Sequence, residues 1–483
     1  MTRQTVAIVG ASGYVGKSFI EKYHDQYDIV AISRTQSKDW PDDVEWRQTD
    51  LYSAQSIQDS LQGVDIAIYL VHSMIPSTRL FQGNFADTDL LLADNFARSA
   101  ISNNVKKIIY LSGPIPKRKI SKHLKSRAEV ERLLHSTGIP FHSIRAGMVV
   151  GRGGSSFEIL ENLVKKLPIM ILPRWAKNKT HCIFISDLIK IIDKTIEGEK
   201  FSEPVINAIT GETLTYERMI KVFAKTLGRK VYIINVPLKQ LEFSKRWVSL
   251  FGKAPYELVS PLIDSLDCEF EKEIPSTNVK ASLGFLKFKR MVAQVEKFDK
   301  ISSKNAFLRK SQDELKAEQK RYRKKINNTV RSIQRLPSLP HKSSQWIASS
   351  YIKWLPKRLR PFIKIKKNES KNLIHFTTPL LPLPLLTLKF IENNSSNDRQ
   401  KFFIVGGILS KTKDTGWLEF RQICNKKYTI AAIHEFNPSL PWFIYIYTQA
   451  IAHEFVMNSF SKYLSKFKKK KGKTKTKTRK KKS

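Results

Sequence analysis

Cysteine is scarce in this 483-residue sequence: Cys182, Cys268 and Cys424 lie far apart, in no CxxC pair and no even set. That excludes a disulfide framework and a cysteine-based zinc site, and it fits a reducing cytoplasm. Also missing is any run of the ~18 apolar residues that a membrane-crossing helix needs. The most apolar stretch, 378–388 (TPLLPLPLLTL), is short and broken by three prolines. The opening MTRQTVAIVGASG enters a strand-like run at once, without the charged, apolar and small-residue regions of a signal peptide. Several catalytic signatures are absent too. His434-Glu435 and His453-Glu454 do not continue as HExxH, no P-loop occurs, and no GxSxG marks a serine hydrolase. No metal site is expected.

Acidic residues are in short supply, and unevenly so. Lys and Arg number 84 against 43 Asp and Glu, a formal net charge of +41. Residues 1–300 hold 43 basic and 33 acidic residues, whereas 301–483 hold 41 and 10. The excess concentrates in 304–335, with its run KRYRKK, and in 468–483, where 11 of 16 residues are Lys or Arg. A block of that kind repels itself and has no apolar face, so 468–483 is expected to be disordered. Its expected partner is an anionic membrane surface or RNA, giving a cytoplasmic protein with peripheral association through the tail.

What the chain does contain is core material: 41% of residues are hydrophobic and 10% aromatic, and the length favours more than one domain. In the first 240 residues, short β-branched runs at 6–10, 28–33, 65–71, 106–112 and 141–147 alternate with helix-period segments such as 87–102 and 126–136. Continuous apolar strands separated by helices imply an α/β domain, a doubly wound parallel sheet of the Rossmann type.

The first of these strands runs into Gly10-Ala-Ser12-Gly13-Tyr14-Val15-Gly16, which opens a helix. In that setting Gly10 makes the tight turn, Gly13 lets the backbone approach a pyrophosphate, and Gly16 packs helix against strand. The helix amides then face phosphate. The alternative is a glycine-rich turn with no ligand. The second strand ends in Ser33-Arg34, where an acidic residue would hold a ribose 2′-hydroxyl; an arginine suits a 2′-phosphate and favours NADP over NAD. Asp50 and Leu51 follow the third strand, with the carboxylate in reach of an adenine amino group. Leu70, Val71, His72 and Ser73, at the tip of the fourth strand, face the same crevice. Arg145 and Asp187 read as structural partners or as ligands.

Taken together, GASGYVG, the step TDL, YLVHSM (69–74), YLSG (110–113), IRAGMVVG (144–151) and ISD (185–187) resemble atypical short-chain dehydrogenase/reductase-like proteins, in the NAD(P)-binding, epimerase-like branch. The resemblance covers about residues 4–240. It implies a nicotinamide cofactor and a small substrate region after the sheet, to which 167–175 and 210–220 belong. It also implies a catalytic serine and a Tyr-x-x-x-Lys pair, whose lysine lowers the phenol pKa for proton exchange during hydride transfer. Ser112 stands in the serine's place, but the aligned helix reads His123-Leu-Lys-Ser-Arg127. Tyrosine and lysine are both missing. His123 and Arg127, one turn apart on one face, are the candidate substitutes: an imidazole titrating near ~6.5 relays a proton, and a guanidinium binds ribose or phosphate. The alternative is a helix that binds dinucleotide without dehydrogenase chemistry.

Beyond residue 300 the character changes. Residues 304–331 read as a very basic helix, followed by strands at 373–376, 385–391, 401–409, 416–421 and 428–436, and by a closing amphipathic helix over 440–467 with Pro441 just inside its start. Strands followed by a long helix imply an α+β unit. SIQRLPSLP, YIKWLP, WLEFR, AAIHEFNPSLPWFIY and TQAIAHEFVMNSF resemble an uncharacterised domain that commonly follows NAD(P)-binding domains of this type. Strands curling around a helix suggest a helix-grip-like pocket; the alternative is a docking domain whose aromatics fill its own core.

The expected organisation is an NAD(P)-binding Rossmann domain with a small substrate region over 1–300, a basic helical linker over 301–326, the α+β domain over 327–467 and the Lys-rich tail over 468–483. Three function classes follow: an NADP-dependent oxidoreductase or epimerase of a small or lipid-like substrate, a non-catalytic NADP sensor or scaffold, and a polyanion-binding protein. The first two share the glycine loop and differ at His123 and Arg127, while the third rests on charge alone.

Overall fold

The computed structural model describes residues 3–36, 40–73, 80–116, 119–198, 203–210, 212–237, 241–268, 270, 286–302, 329–411 and 416–479. Nearly all of the linker expected over 301–326 lies outside them. The chain divides into two compact units: Met1–Ile75 with Asp89–Glu314, and Pro76–Thr88 with Leu315–Ser483. The stretch expected to form one continuous domain over 1–300 is therefore interrupted by a short segment that belongs with the C-terminal part.

Seven parallel strands form the sheet of the first unit. They are β1 (Thr5–Val9), β2 (Asp28–Ser33), β3 (Glu45–Gln48), β4 (Ile66–Tyr69), β5 (Lys107–Ser112), β6 (Phe141–Ala146) and β7 (Val205–Ala208), in the order β7-β6-β5-β4-β1-β2-β3. Helices lie against the sheet because its strands are apolar along their length. Val6, Ile8, Ile29 and Ile68 pack with Phe19 and Ile20 of α1 (Tyr14–Tyr23) and with Ile189 and Ile192 of the helix Ile185–Glu197. Strand order reverses between β1 and β4, which opens a crevice beyond the carboxyl ends of the strands. The helix α2 (Lys122–His135) follows β5 and starts where the Ser121 hydroxyl accepts from Leu124 N (3.1 Å). Past the sheet, helices Ser155–Lys166, Tyr216–Thr226, Leu241–Gly252 and Tyr256–Leu266 enclose a separate apolar cluster around Phe157, Trp175 and Phe223.

In the second unit, Val330–Leu336 leads into the helix Ser344–Arg358. Then Lys364–Asn368, Leu373–Thr378, Leu381–Phe390, Arg399–Gly406, Trp417–Ile423 and Tyr428–Phe436 run antiparallel and bring the last strand back beside the first. On the other side of Val330–Leu336, Leu80–Gly83 adds a parallel edge strand. The order strand, helix, six strands, helix is helix-grip-like, and aromatic side chains fill the space between sheet and helices. Tyr351 lies 5.4 Å from Phe420 and 5.1 Å from Phe460, ring centre to ring centre, and Trp354 lies 5.2 Å from Phe460.

Several expectations shift here. Val330 and Arg331, read as the end of a basic helix, begin a strand, because pairing with Tyr428–Phe436 outweighs the helical preference of Arg and Gln. The closing helix is two helices, Trp442–Tyr447 and Gln449–Arg479, broken at Thr448 (φ −124°, ψ −83°). The run Ile-Tyr-Ile-Tyr-Thr is β-branched and aromatic and resists continuous helix. The backbone of the second helix runs on to Arg479, into the first part of the Lys-rich tail. Lysine is a good helix former, and extending a helix already formed costs little; the side chains from 469 onward lie outside the described residues. Among the described residues, no helix is long and apolar enough to cross a membrane.

Candidate cofactor and proton-relay site

The glycine loop is tied to the end of β2. The amides of Gly10 and Ala11 donate to Ile32 O (2.9 and 3.2 Å), and Gly13 N donates to Gly10 O (2.9 Å). Gly10 takes φ +95°, which L side chains rarely adopt. At Gly16 a Cβ would stand 2.8 Å from Ala11 O, so only glycine lets α1 begin this close to the strand. Gly13 is the N-cap of α1 and no side chain caps the helix, which leaves its first amides oriented for an anion.

A cavity of about 450 Å³ starts at this loop, walled by Gly10, Gly13, Tyr14, Val15, Gly16 and Leu70. It runs past Ser112, His123 and Arg127 to the small region beyond the sheet, where Met148, Trp175 and Tyr216 line it. Ser112 Oγ and Tyr14 OH are buried without a hydrogen-bond partner among the described residues. A glycine cradle at one end and orphaned hydroxyls along the wall fit a dinucleotide and an oxygen-bearing substrate. Arg127 is held in place by a bond from its Nη1 to Leu111 O (2.9 Å).

Behind the cavity wall, three side chains form a line. Asp89 Oδ2 lies 2.6 Å from His72 Nδ1, and His72 Nε2 lies 2.9 Å from His123 Nδ1. The carboxylate also accepts from Ser73 N (2.7 Å) and Ser126 Oγ (3.1 Å). Burial pushes the Asp89 carboxyl up, but His72, the Ser73 amide and Arg127 outweigh it and hold the group below its ordinary value. Burial, aided by the Arg127 charge, lowers His72 even though Asp89 acts in the opposite sense. Burial again, with His72 and Arg127, holds His123 well below 6.5. Both rings are therefore neutral, and the carboxylate decides their tautomers. A carboxylate 2.6 Å away favours the proton on Nδ1 of His72, which lets Nε2 of His72 accept from Nδ1–H of His123 and makes Nε2 the acceptor of the His123 ring.

Other residues picked out by sequence fall elsewhere. Ser12 is exposed on the loop, and Val71 sits against Gly10. Ser33 is buried; its hydroxyl donates to Thr35 O (2.7 Å) and accepts from Trp46 Nε1 (3.2 Å). Arg34 is exposed just past β2. Asp50 Oδ1 accepts from Tyr52 N (3.2 Å), and Leu51 O accepts from Asn95 Nδ2 (2.8 Å), so both hold the turn after β3. His72 and Ser73 lie against Asp89 and are not among the residues that line the cavity. Arg145 pairs with Glu131 (2.6 Å), a structural role; Asp187 is buried in the first turn of its helix and is raised by that burial. Asp89 was not foreseen. Its one sequence signal is an acid at the head of the apolar run Leu90-Leu91-Leu92. Among the described residues, no group of three or more His, Cys, Asp or Glu side chains is placed to hold a metal ion.

Comparison with known proteins bears on the same region. The model of the NmrA-like family matches residues 2–246. The chain belongs to the NmrA-like family. The family match covers the glycine loop, the Asp89–His72–His123 line and the cavity wall up to Tyr216. This NmrA-like chain is 34% identical over 110 residues to the auxiliary protein GraX of Staphylococcus aureus (strain NCTC 8325 / PS 47). That stretch is 22% of this chain and 36% of the length of GraX. Among solved structures, triphenylmethane reductase of Citrobacter sp. is 19% identical, with 61% of this chain and 99% of that chain covered and a TM-score of 0.48. The NADPH-dependent quinone oxidoreductase QOR2 of Escherichia coli, complexed with NADPH, is 18% identical, with 60% and 99% covered and a TM-score of 0.47. The UDP-N-acetylglucosamine 4-epimerase of Methanobrevibacter ruminantium M1 is 14% identical, with 63% and 100% covered and a TM-score of 0.46.

Proposed function

We propose that the chain binds NADP(H) along the glycine-loop cavity and acts as a reductase- or epimerase-like enzyme on a small or lipid-like carbonyl or hydroxyl substrate. The Asp89–His72–His123 line, whose last ring lines the same cavity as the orphaned Ser112 hydroxyl, carries this reading. Bound there, the dinucleotide supplies hydride transfer. The chain's own residues do the rest: α1 and its glycines hold the pyrophosphate, Arg34 answers the 2′-phosphate, and Ser112 Oγ donates to the substrate oxygen. His123 Nε2 would accept the substrate's hydroxyl proton and return it in the reverse direction. The wall of the cavity is largely apolar, which keeps water from that exchange.

The test joins binding to turnover. NADPH fluorescence titration should show binding by the wild type and none by Gly13→Asp, whose side chain and charge would occupy the pyrophosphate position. On a panel of carbonyls and quinones, His123→Ala should keep NADPH affinity and lose turnover by about 10²- to 10⁴-fold. An unaltered rate removes His123 from the mechanism. The absence of the Tyr-x-x-x-Lys pair favours one second reading, a sensor that binds NADPH without oxidising it; binding with no turnover across the panel would turn the conclusion that way. Failure of the wild type to bind would overturn both.

A further inference from the structure

The large apolar side chains that the second unit leaves exposed are not scattered. They fall at Phe362, within 380–383, at Ile408 and within 443–455. Backbone bonds stitch three of these segments together: Ile408 N donates to Pro384 O (3.0 Å), Ser439 N donates to Leu409 O (3.1 Å), and Ser410 bridges to Pro438. Leu380 is 78% exposed, Phe443 71% and Tyr447 76%. Single exposed apolar residues are ordinary on a protein surface, but a cluster on adjoining segments marks an interaction surface.

Its surroundings indicate the partner. Residues 437–453 contain no Lys, Arg, Asp or Glu, whereas 353–391 hold nine basic residues and one acidic. The Arg358 guanidinium lies 5.6 Å from the centre of the Phe455 ring, joining the cationic and aromatic zones. Leucine and aromatic tips beside cations match the two layers of an anionic bilayer surface, apolar groups entering the headgroup boundary while cations stay among the phosphates. RNA would satisfy the cations but leave Leu380 and Leu383 in water, because single strands are held by bases stacking on aromatic platforms in a charged groove.

We propose that this end of the second unit docks on an anionic membrane surface, with Leu380, Leu383, Phe443 and Tyr447 entering the headgroup layer and the neighbouring Lys and Arg side chains contacting lipid phosphates. The surface acts in addition to the Lys-rich tail and does not depend on the cofactor site. The full chain and two full-length variants, F443D/Y447D and L380D/L383D, test it by co-sedimentation with vesicles of phosphatidylcholine alone or with about a third phosphatidylglycerol, at ~0.15 M salt. The wild type should sediment with the anionic vesicles and not with the neutral ones. Each variant should lose retention by about tenfold or more while its far-UV circular dichroism and thermal melting stay as in the wild type. Because one pair lies on the helix Trp442–Tyr447 and the other at the start of the strand Leu381–Phe390, a folding defect in one leaves the other as the measure. Retention of both variants at the wild-type level would assign any binding to the tail and overturn the proposal, as would failure of the wild type to sediment. A wild-type dimer dissociated by these substitutions, or single-stranded RNA binding lost with them, would assign the surface to that partner instead.

Discussion

Burial keeps the imidazoles of His72 and His123 neutral and Asp89 stands at the end of their line, an arrangement invisible to the sequence because the three residues share no helical or strand spacing. The glycine loop is the opposite case. Gly10, Gly13 and Gly16 act within a single strand–turn–helix, so their geometry is written into adjacent positions. Arg34 lies between these extremes: its place after β2 was readable, its selectivity is not. Arg34→Ala should weaken NADP binding by about 1.5–3 kcal/mol, as for a lost charge-assisted hydrogen bond, and leave NAD binding nearly unchanged. Equal losses in titrations of both cofactors would show that Arg34 only supports the loop. His453 offers a pH test in the second unit. Burial lowers it from 6.5 to about 4, and its Nε2 lies 3.1 Å from Ser332 Oγ. The unfolded chain then binds a proton at higher pH than the folded one does. Its contribution to stability is therefore complete above pH 6.5 and lost as pH falls toward about 4. Urea midpoints measured across that window should decline, and His453→Gln should flatten the decline.

Elements were legible in proportion to their apolar continuity. The runs that became β1, β2, β5 and β6 are buried along most of their length, and each reads as a strand without knowledge of its neighbours. Lys364–Asn368, with the sequence KIKKN, does not; it is a strand because Leu373–Thr378 pairs with it. Leu80–Gly83 is likewise a strand only by its pairing with Val330–Leu336. Helix Gln449–Arg479 packs against the sheet through its aromatic face. Phe460, fully buried against Tyr351 and Trp354, is its main anchor. Phe460→Ala should destabilise the second unit by about 3–5 kcal/mol, read from tryptophan fluorescence during urea unfolding. A loss under ~1 kcal/mol would mean that the helix is held elsewhere.

The interruption at Pro76–Thr88 has no local signal in the sequence, since nothing local distinguishes a segment that pairs with a distant partner. A fragment of residues 315–483 would keep seven strands of its sheet and lose Leu80–Gly83, leaving the edge of Val330–Leu336 open. Such edges recruit other chains. Expressed alone, the fragment should elute as oligomers in size-exclusion chromatography, and fusing residues 80–88 to it should restore a monomer. A monomeric fragment without them would show the edge strand to be dispensable. The same pairing places a clock on biosynthesis. Leu80 leaves the ribosome about 250 residues before Val330, a wait of roughly 12–50 s at ~5–20 residues per second. Throughout that interval the first unit can close its own sheet while a loop within it holds an unpaired strand, so a newborn chain is at its most adhesive between the synthesis of residues 83 and 330. Slowing translation should lengthen that window and raise the yield of aggregate, and a chaperone that covers extended segments should be most needed there.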